Sequence, residues 1–475
     1  MRVSARLGLA LVPIVTILSA VAPLPAAAAA GPPRPLPNPD RPAATPIAPA
    51  GGTAPGTLPG ATASRLFSRG TAPRALPGAT ASRRSAGPDR CRTLRRRLHR
   101  GGGTPAGLLV AEAGDGSVLC SSDARRRRPL ASNMKLFTTS TALSRFGPGR
   151  RLPTRLLASG RLGRTGVLHG DLYLKGGGDP ALGSPAFFDA FLGGLGTDIY
   201  GLTRRLRAAG VRSVTGRLYA DASIFDRRRG VADSGYATSP YIGPLSGLGF
   251  NSGFADSGAR SFASDPARLA ADKLARSLRR HGVRVKRRVA LGEAPKGARV
   301  LAFVRSPRME RLVNETDVES NNYFAEMLIK GLGARFGKGG STFAGARVVE
   351  AFARRHGSAV HAVDGSGLTR TNRASPAEMV GLLRAMHSGP LGSTFEHAMA
   401  LAGREGTVAD RMRGTAAEGR CRTKTGTLSG VSNLSGYCFN RSGRVVVFSI
   451  LMAGVRDLAL AHLEQDRMAG VIAGY

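Results

Sequence analysis

The chain has 475 residues, with 69 Lys+Arg against 31 Asp+Glu and a formal net charge of +38. That length holds two or three domains and a sizeable core. A field this positive attracts polyanions. No zinc-finger spacing, no aromatic-interleaved basic motif and no Trp accompany it, so charge alone does not argue for nucleic acid.

Residues 1–30 read as a secretory signal. Arg2 and Arg6 form the charged start, 7–21 the apolar core, and Ala26 to Ala30 the small-residue cleavage region. The apolar run is short for a membrane anchor, and Pro13, Pro23 and Pro25 interrupt it. Residues 31–88 form a Pro/Ala/Arg-rich tether. TAPGTLPGATASR (53–65) returns there almost unchanged as TAPRALPGATASR (71–83), too short and polar for a folding repeat. Exported and extracytoplasmic is the expected location.

Folded sequence begins near Pro88. A short basic helix is expected over 91–100, a strand over 106–113, a turn at Asp115-Gly116 and a return strand over 117–121. Arg125 to Arg128 are expected to form a solvated loop. A helix follows over 133–146, with Ser132 at its mouth and Lys135 one turn on, on the same face. A serine hydroxyl needs an adjacent base to become a nucleophile. A lysine serves only if burial or a second cation lowers its pKa from about 10.4. Ser-x-x-Lys alone is a weak signal, because it turns up about once by chance in a chain this long.

Gly176-Gly177-Gly178 reads as a turn rather than a phosphate loop. Strands are expected over 166–174, 213–220 and 283–291, with a helix over 266–280. Val318 to Asn322 opens another helix, whose first turn aims Ser320 and Asn322 at one place. Near the C-terminus, 422–427, 433–439 and 444–452 read as three strands, with turns at Gly430 and Ser442-Gly443 and a closing helix over 458–472. On the first of these strands Lys424 offers a second cation, Thr425 a hydroxyl, and Gly426 room for a substrate backbone.

Four cysteines in an exported chain favour disulfides. Cys421 and Cys438 bracket the first C-terminal hairpin, and Cys91 with Cys120 would tie the first helix to the first hairpin. Three pairings are open, and four unpaired thiols is the alternative. The eight histidines are scattered and no Cys-x-x-Cys is present, so neither a metal site nor a cofactor is expected.

Ser-x-x-Lys, Ser-x-Asn and Lys-Thr-Gly in this order resemble the penicillin-recognising serine enzymes. The long interval between Ser132 and Ser320 is similar to that of the D-alanyl-D-alanine carboxypeptidase/endopeptidase family, peptidase family S13. The stretches carrying the resemblance are ASNMKLFTT (131–139), HGDLYLKGGGDPAL (169–182), VESNNYFAEMLIK (318–330), DGSGLTRTNRASP (364–376) and KTGTLSGVSNLSGY (424–437).

The resemblance implies an α/β (α+β) penicillin-binding/β-lactamase-like fold, with a five-stranded antiparallel sheet covered by helices. The catalytic domain would comprise 89–150 and 299–475, with a mostly-β insertion at 151–298. It implies Ser132 as nucleophile, Lys135 as base and Ser320 as proton relay assisted by Lys424. Asn322, Thr425 and Gly426 would bind substrate, and the backbone N–H groups of Ser132 and Thr427 would form the oxyanion hole. Peptidoglycan stem peptides would be substrates and β-lactams inhibitors, with anionic wall polymers as further partners and no role for nucleic acid. Asp221 or Asp226 would take the stem peptide's free amine. Residues 249–266 match nothing expected of the family. A β-lactamase or esterase on the same scaffold is one alternative, and a basic, non-catalytic wall-binding protein another.

Overall fold

The computed structural model describes residues 86–103, 105–440 and 443–475. The expected signal, the expected tether up to residue 85, and Ser442 of the expected turn lie outside them; residues 86–88, expected as the end of the tether, instead open the first helix, Ala86–Gly102, which starts before the expected 91.

Six strands form the main sheet, in the order Ala400–Leu401, Cys421–Leu428, Val431–Phe439, Val445–Ala453, Gly107–Glu112 and Val118–Ser122. All are antiparallel. Five match the expected sheet. The sixth, Ala400–Leu401, covers only Arg422 and Thr423 at the outer edge, and two residues carry no strand period to read.

Both faces of this sheet are buried, so Val445–Ala453 is apolar but for Ser449 rather than alternating, and Val431–Phe439 buries Ser432, Asn433 and Ser435 among apolar residues. Leu108 and Val110, with Val446, Phe448, Ile450 and Met452, pack under the helices Ala86–Gly102 and Leu458–Ile472. Ala111, Val447, Leu451 and Tyr437 point the other way, into the core beneath the helices Met134–Phe146 and Pro376–His387. Two of these helices start on local chemistry: Asp457 accepts from Leu460 N ahead of Leu458–Ile472, and Ser375 with Glu378 forms a capping box ahead of Pro376–His387. Disulfides Cys91–Cys120 and Cys421–Cys438 are present; the second joins residues directly opposite across two strands.

The insertion has a second sheet and its own core. Its strands run Arg284–Val285, Ser213–Val214, Val167–Lys175, Pro153–Leu162 and Arg299–Arg305, with Leu218–Asp221 and Ala290–Leu291 alongside. The sheet extends to Arg305, past the expected bound of 298. It is also less purely β than expected. Several of its pairings are parallel, and a parallel pair needs a crossover. Helices Pro185–Phe191, Gly201–Ala208 and Pro266–Arg280 supply the crossovers. The expected strands at 213–220 and 283–291 each split in two. At the first break a Cβ on Gly216 would meet the Asp171 carboxylate, which instead accepts from Arg217 N.

The glycine run at 176–178 is a close backbone approach. A Cβ on Gly176 would lie 2.1 Å from Gly247 O, and one on Gly177 the same distance from Pro153 O. The stretch 249–266 folds on itself, with Phe254 and Phe262 stacked 4.6 Å apart. Arg128 corrects the expectation of a solvated loop. It is buried, and its guanidinium donates to the carbonyls of Pro105, Ala106, Asp123 and Arg126 and to the Asp123 carboxylate. That network fixes the segment leading to Ser132.

Candidate active site

Ser132 lies in a single 3-10 turn, Ala131–Asn133, which runs into the helix Met134–Phe146. Ala131 is buried with φ +44°, a conformation that costs a non-glycine residue about 1–3 kcal/mol and persists only where its surroundings impose it. Three neighbours do so. Asn433 on the central strand donates to Leu130 O (2.8 Å) and Pro129 O (3.0 Å). Asn133 donates to Lys424 O at 3.1 Å. On the third side Gly367 comes so close that a Cβ there would lie 1.8 Å from Ala131 O.

Lys135 is fully buried, and its Nζ has three partners. Ser132 Oγ is at 2.9 Å, Asn322 Oδ1 at 2.7 Å and Ser366 O at 2.9 Å. The asparagine and carbonyl oxygens can only accept. A neutral amine therefore spends its two hydrogens on them and turns its lone pair to the serine hydroxyl. Burial, and then the charge of Lys424, pull the Lys135 pKa down to about 7. Glu326, Asp317 and Asp364 act in the opposite sense.

These three carboxylates are buried beside the lysines. Burial raises Asp317 to about 7. Glu326 Oε1 accepts from Gly365 N (2.9 Å) and Ser366 N (2.7 Å), and so holds the carbonyl that holds Lys135. Asp364 accepts from Gly367 N and Thr369 N. Burial pushes Glu326 and Asp364 above the usual carboxylate range, and the Asp364 charge adds to the rise at Glu326.

Lys424, fully buried on the strand Cys421–Leu428, donates to Thr425 O at 3.1 Å. Gly426 lies against the serine turn; a Cβ there would sit 2.9 Å from both Asn133 Nδ2 and Leu130 O. The Thr425 hydroxyl is 2.9 Å from that of Thr407. Thr427 is half-buried further along. Because the strand Ala400–Leu401 pairs no further than Thr423, the outer edge from Lys424 to Leu428 has no neighbouring strand among the described residues.

Ser320 sits between the helices Met309–Val318 and Asn322–Phe336 with φ +56°. Asn321, not Ser320, caps the second helix by accepting from Phe324 N. The Ser320 hydroxyl makes no hydrogen bond with the described residues. Thus the fold joins Ser132, Lys135 and Asn322 in direct contact, sets Lys424 within their electrostatic reach, and leaves Ser320 two residues from Asn322 at the mouth of the same helix. Asp221 and Asp226 are already occupied. The first accepts from Ser223 N, Ala294 N and Lys175 Nζ, the second from Arg228 N and the buried Lys330 Nζ.

Sequence reading did not find the parts played by Ser366 O, Thr407 and the three buried carboxylates. The available signals were the DGSG run at 364–367 and Glu326 one helical turn after Asn322.

The sequence profile of the D-Ala-D-Ala carboxypeptidase 3 (S13) family matches residues 94–261 and 255–474. A D-alanyl-D-alanine carboxypeptidase of Actinomadura sp. (strain R39) is 31% identical over 455 residues, covering 78% of this chain and 82% of that protein. Carboxypeptidase DacB of Mycolicibacterium smegmatis is 28% identical over 72% of this chain and 75% of its own. Among solved structures, penicillin binding protein 4 (dacB) of Haemophilus influenzae superposes with a TM-score of 0.65 at 20% identity, over 81% of this chain and 98% of that one. No helix among the described residues is long and apolar enough to cross a membrane. With its serine–lysine pair built as described and the family profile spanning nearly all of the described residues, the chain belongs to the D-Ala-D-Ala carboxypeptidase 3 (S13) family of serine-type DD-peptidases.

Proposed function

We propose that this chain is an exported DD-peptidase that cleaves peptidoglycan stem peptides through an acyl-enzyme on Ser132. The observation that carries the reading is the buried Lys135 amine, 2.9 Å from Ser132 Oγ, with its pKa drawn down to about 7.

Ser132 Oγ attacks the carbonyl of the D-alanyl-D-alanine bond, and its proton passes to Lys135 Nζ. The carbonyl electrons move onto oxygen, where the N–H groups of Ser132 and Thr427 donate to them; such preorganised donors are typically the largest single term in catalysis. The C–N bond then breaks. The departing D-alanine amine takes a proton through Ser320, with Lys424 favouring that transfer. Water attacks the ester, returns the enzyme and releases the shortened peptide. Asn322 holds the substrate amide. Lys424, with Thr425 and Thr407 nearby, receives the terminal carboxylate. The open strand edge suits an extended peptide added as one more strand. The same steps cut a cross-link whose acyl half ends in D-alanine, which gives endopeptidase activity.

A β-lactam presents a strained amide to the same serine and stays attached as the ester. Export is supported by two disulfides, which persist in oxidising compartments. Intact-mass spectrometry with a labelled penicillin tests the reading. A single adduct, absent from Ser132→Ala, is expected. No adduct on folded wild-type protein would overturn it.

A further inference from the structure

The far end of the insertion carries an unbalanced charge that the peptidase chemistry does not use. Three segments meet there: the 161–170 hairpin, residues 207–217 and residues 276–288. They hold two, three and seven lysines and arginines respectively and no aspartate or glutamate; the Asp171 carboxylate beside them accepts from Arg217 N. Sheet topology brings them together. Strands Val167–Lys175, Ser213–Val214 and Arg284–Val285 are parallel neighbours that all begin at this end. Arg212 N donates to Gly166 O, and Arg284 N to Arg212 O. The helices Gly201–Ala208 and Pro266–Arg280 finish here too, with Arg207 and Arg280 close to their C-termini.

Most of these charges are exposed, and none forms an ion pair with the described residues. Arg164, Arg207, Arg212, Arg280, Arg284 and Arg287 are all exposed. The ion pairs within the insertion lie elsewhere, at Lys175–Asp221, Arg204–Asp198, Arg229–Asp265, Arg260–Asp256 and Arg268–Asp272. Keeping so many like charges together destabilises the free fold, and a polyanion would relieve that repulsion. The place is also far from the chemistry. Strand Pro153–Leu162 starts where Pro153 pairs with Arg305, beside the catalytic domain, and ends at this hairpin. Its ten residues span about 30 Å at ~3.3 Å each.

The occupant follows from what is missing. The three segments contain no Phe, Tyr or Trp, so they offer neither the aromatic platform on which single-stranded nucleic acids stack nor the aromatic anchors of a helix lying in a bilayer interface. We propose that this pole docks a linear phosphate-rich polymer without bases, of the poly(glycerol phosphate) kind, and holds the enzyme on an anionic wall while the cleft stays free.

The test titrates the full chain with labelled poly(glycerol phosphate) across a salt series. The variant Arg164, Arg212, Arg280 and Arg284→Gln should bind at least about tenfold more weakly, with a shallower dependence on salt. A control, Arg335, Lys338, Arg354 and Arg355→Gln, removes as many exposed charges from the catalytic domain and should lose less than about twofold. Both should acylate with penicillin at the wild-type rate. Equal losses in the two variants would mean that only net charge matters, and would overturn the proposal. So would failure to bind the polymer, or tighter binding of duplex DNA or anionic vesicles through the same pole.

Discussion

Lys135 draws its basicity from what surrounds it. An ammonium buried beside Lys424 loses stability relative to the free amine, and the pKa falls to about 7. A base acts in its unprotonated form, so the acylation rate should climb as pH rises through about 7 and then level off. Replacing Lys424 removes the second of the two causes and leaves the first. The Lys135 pKa then rises, and the acid limb in Lys424→Gln should move to higher pH. Rates of penicillin acylation measured across that range would decide it. A limb that stays in place in the variant would mean that some other group titrates. The buried carboxylates pull Lys135 in the opposite direction, so their arrangement also sets where the limb falls.

Between elements, the critical contact is the one where Gly426 touches the serine turn. Gly426→Ala would put a Cβ 2.9 Å from Leu130 O and from Asn133 Nδ2. The strand or the turn must then retreat by a few tenths of an ångström. Overpacking of this kind costs about 1–3 kcal/mol, but a small misplacement of reacting groups can cost on the order of a hundredfold in rate. Penicillin acylation should therefore fall at least about tenfold while the thermal melt shifts only modestly. An unchanged rate would show that the spacing between strand and turn is not critical. This contact was partly legible beforehand, since Ser132, Lys135, Asn322 and Lys424 stand in short motifs at helix and strand positions that periodicity reveals. The apolar C-terminal strands and the helix over 458–472 were legible for the same reason. The carbonyl of Ser366 was not, because a backbone acceptor leaves no trace in residue type. Nor were Asp317, Glu326 and Asp364 as neighbours of the lysines, since they come from separate segments that meet only in the fold. Arg128 misled because an arginine in a basic run reads as solvated until the carbonyls it satisfies are known.

Across the whole molecule, the insertion grips the helix that carries Asn322. Asn322 Nδ2 donates to Tyr241 O at 3.1 Å, Gly249 packs against the Tyr323 hydroxyl, and Lys330 Nζ reaches the Asp226 carboxylate at 2.5 Å. Lys330 is fully buried, whereas the Asp226 side chain is 32% exposed. Asp226→Asn would leave a buried ammonium facing an amide and the Arg228 carbonyl. Breaking a buried pair on one side costs about 3–5 kcal/mol, and the partial exposure of Asp226 reduces this to roughly 2–3 kcal/mol. Adding Lys330→Met removes the stranded charge and should recover much of the loss, because an apolar side chain of similar length often replaces a buried ion pair without penalty. Thermal unfolding of the single and double variants measures this. The alternative, that Asp226 receives the amine of the stem peptide, gives the opposite pattern: the single variant would bind a D-alanyl-D-alanine peptide more weakly at unchanged stability, and Lys330→Met would restore nothing. A carboxylate already held by a buried lysine favours the structural outcome, in which the insertion acts on catalysis by fixing the helix rather than by touching the substrate.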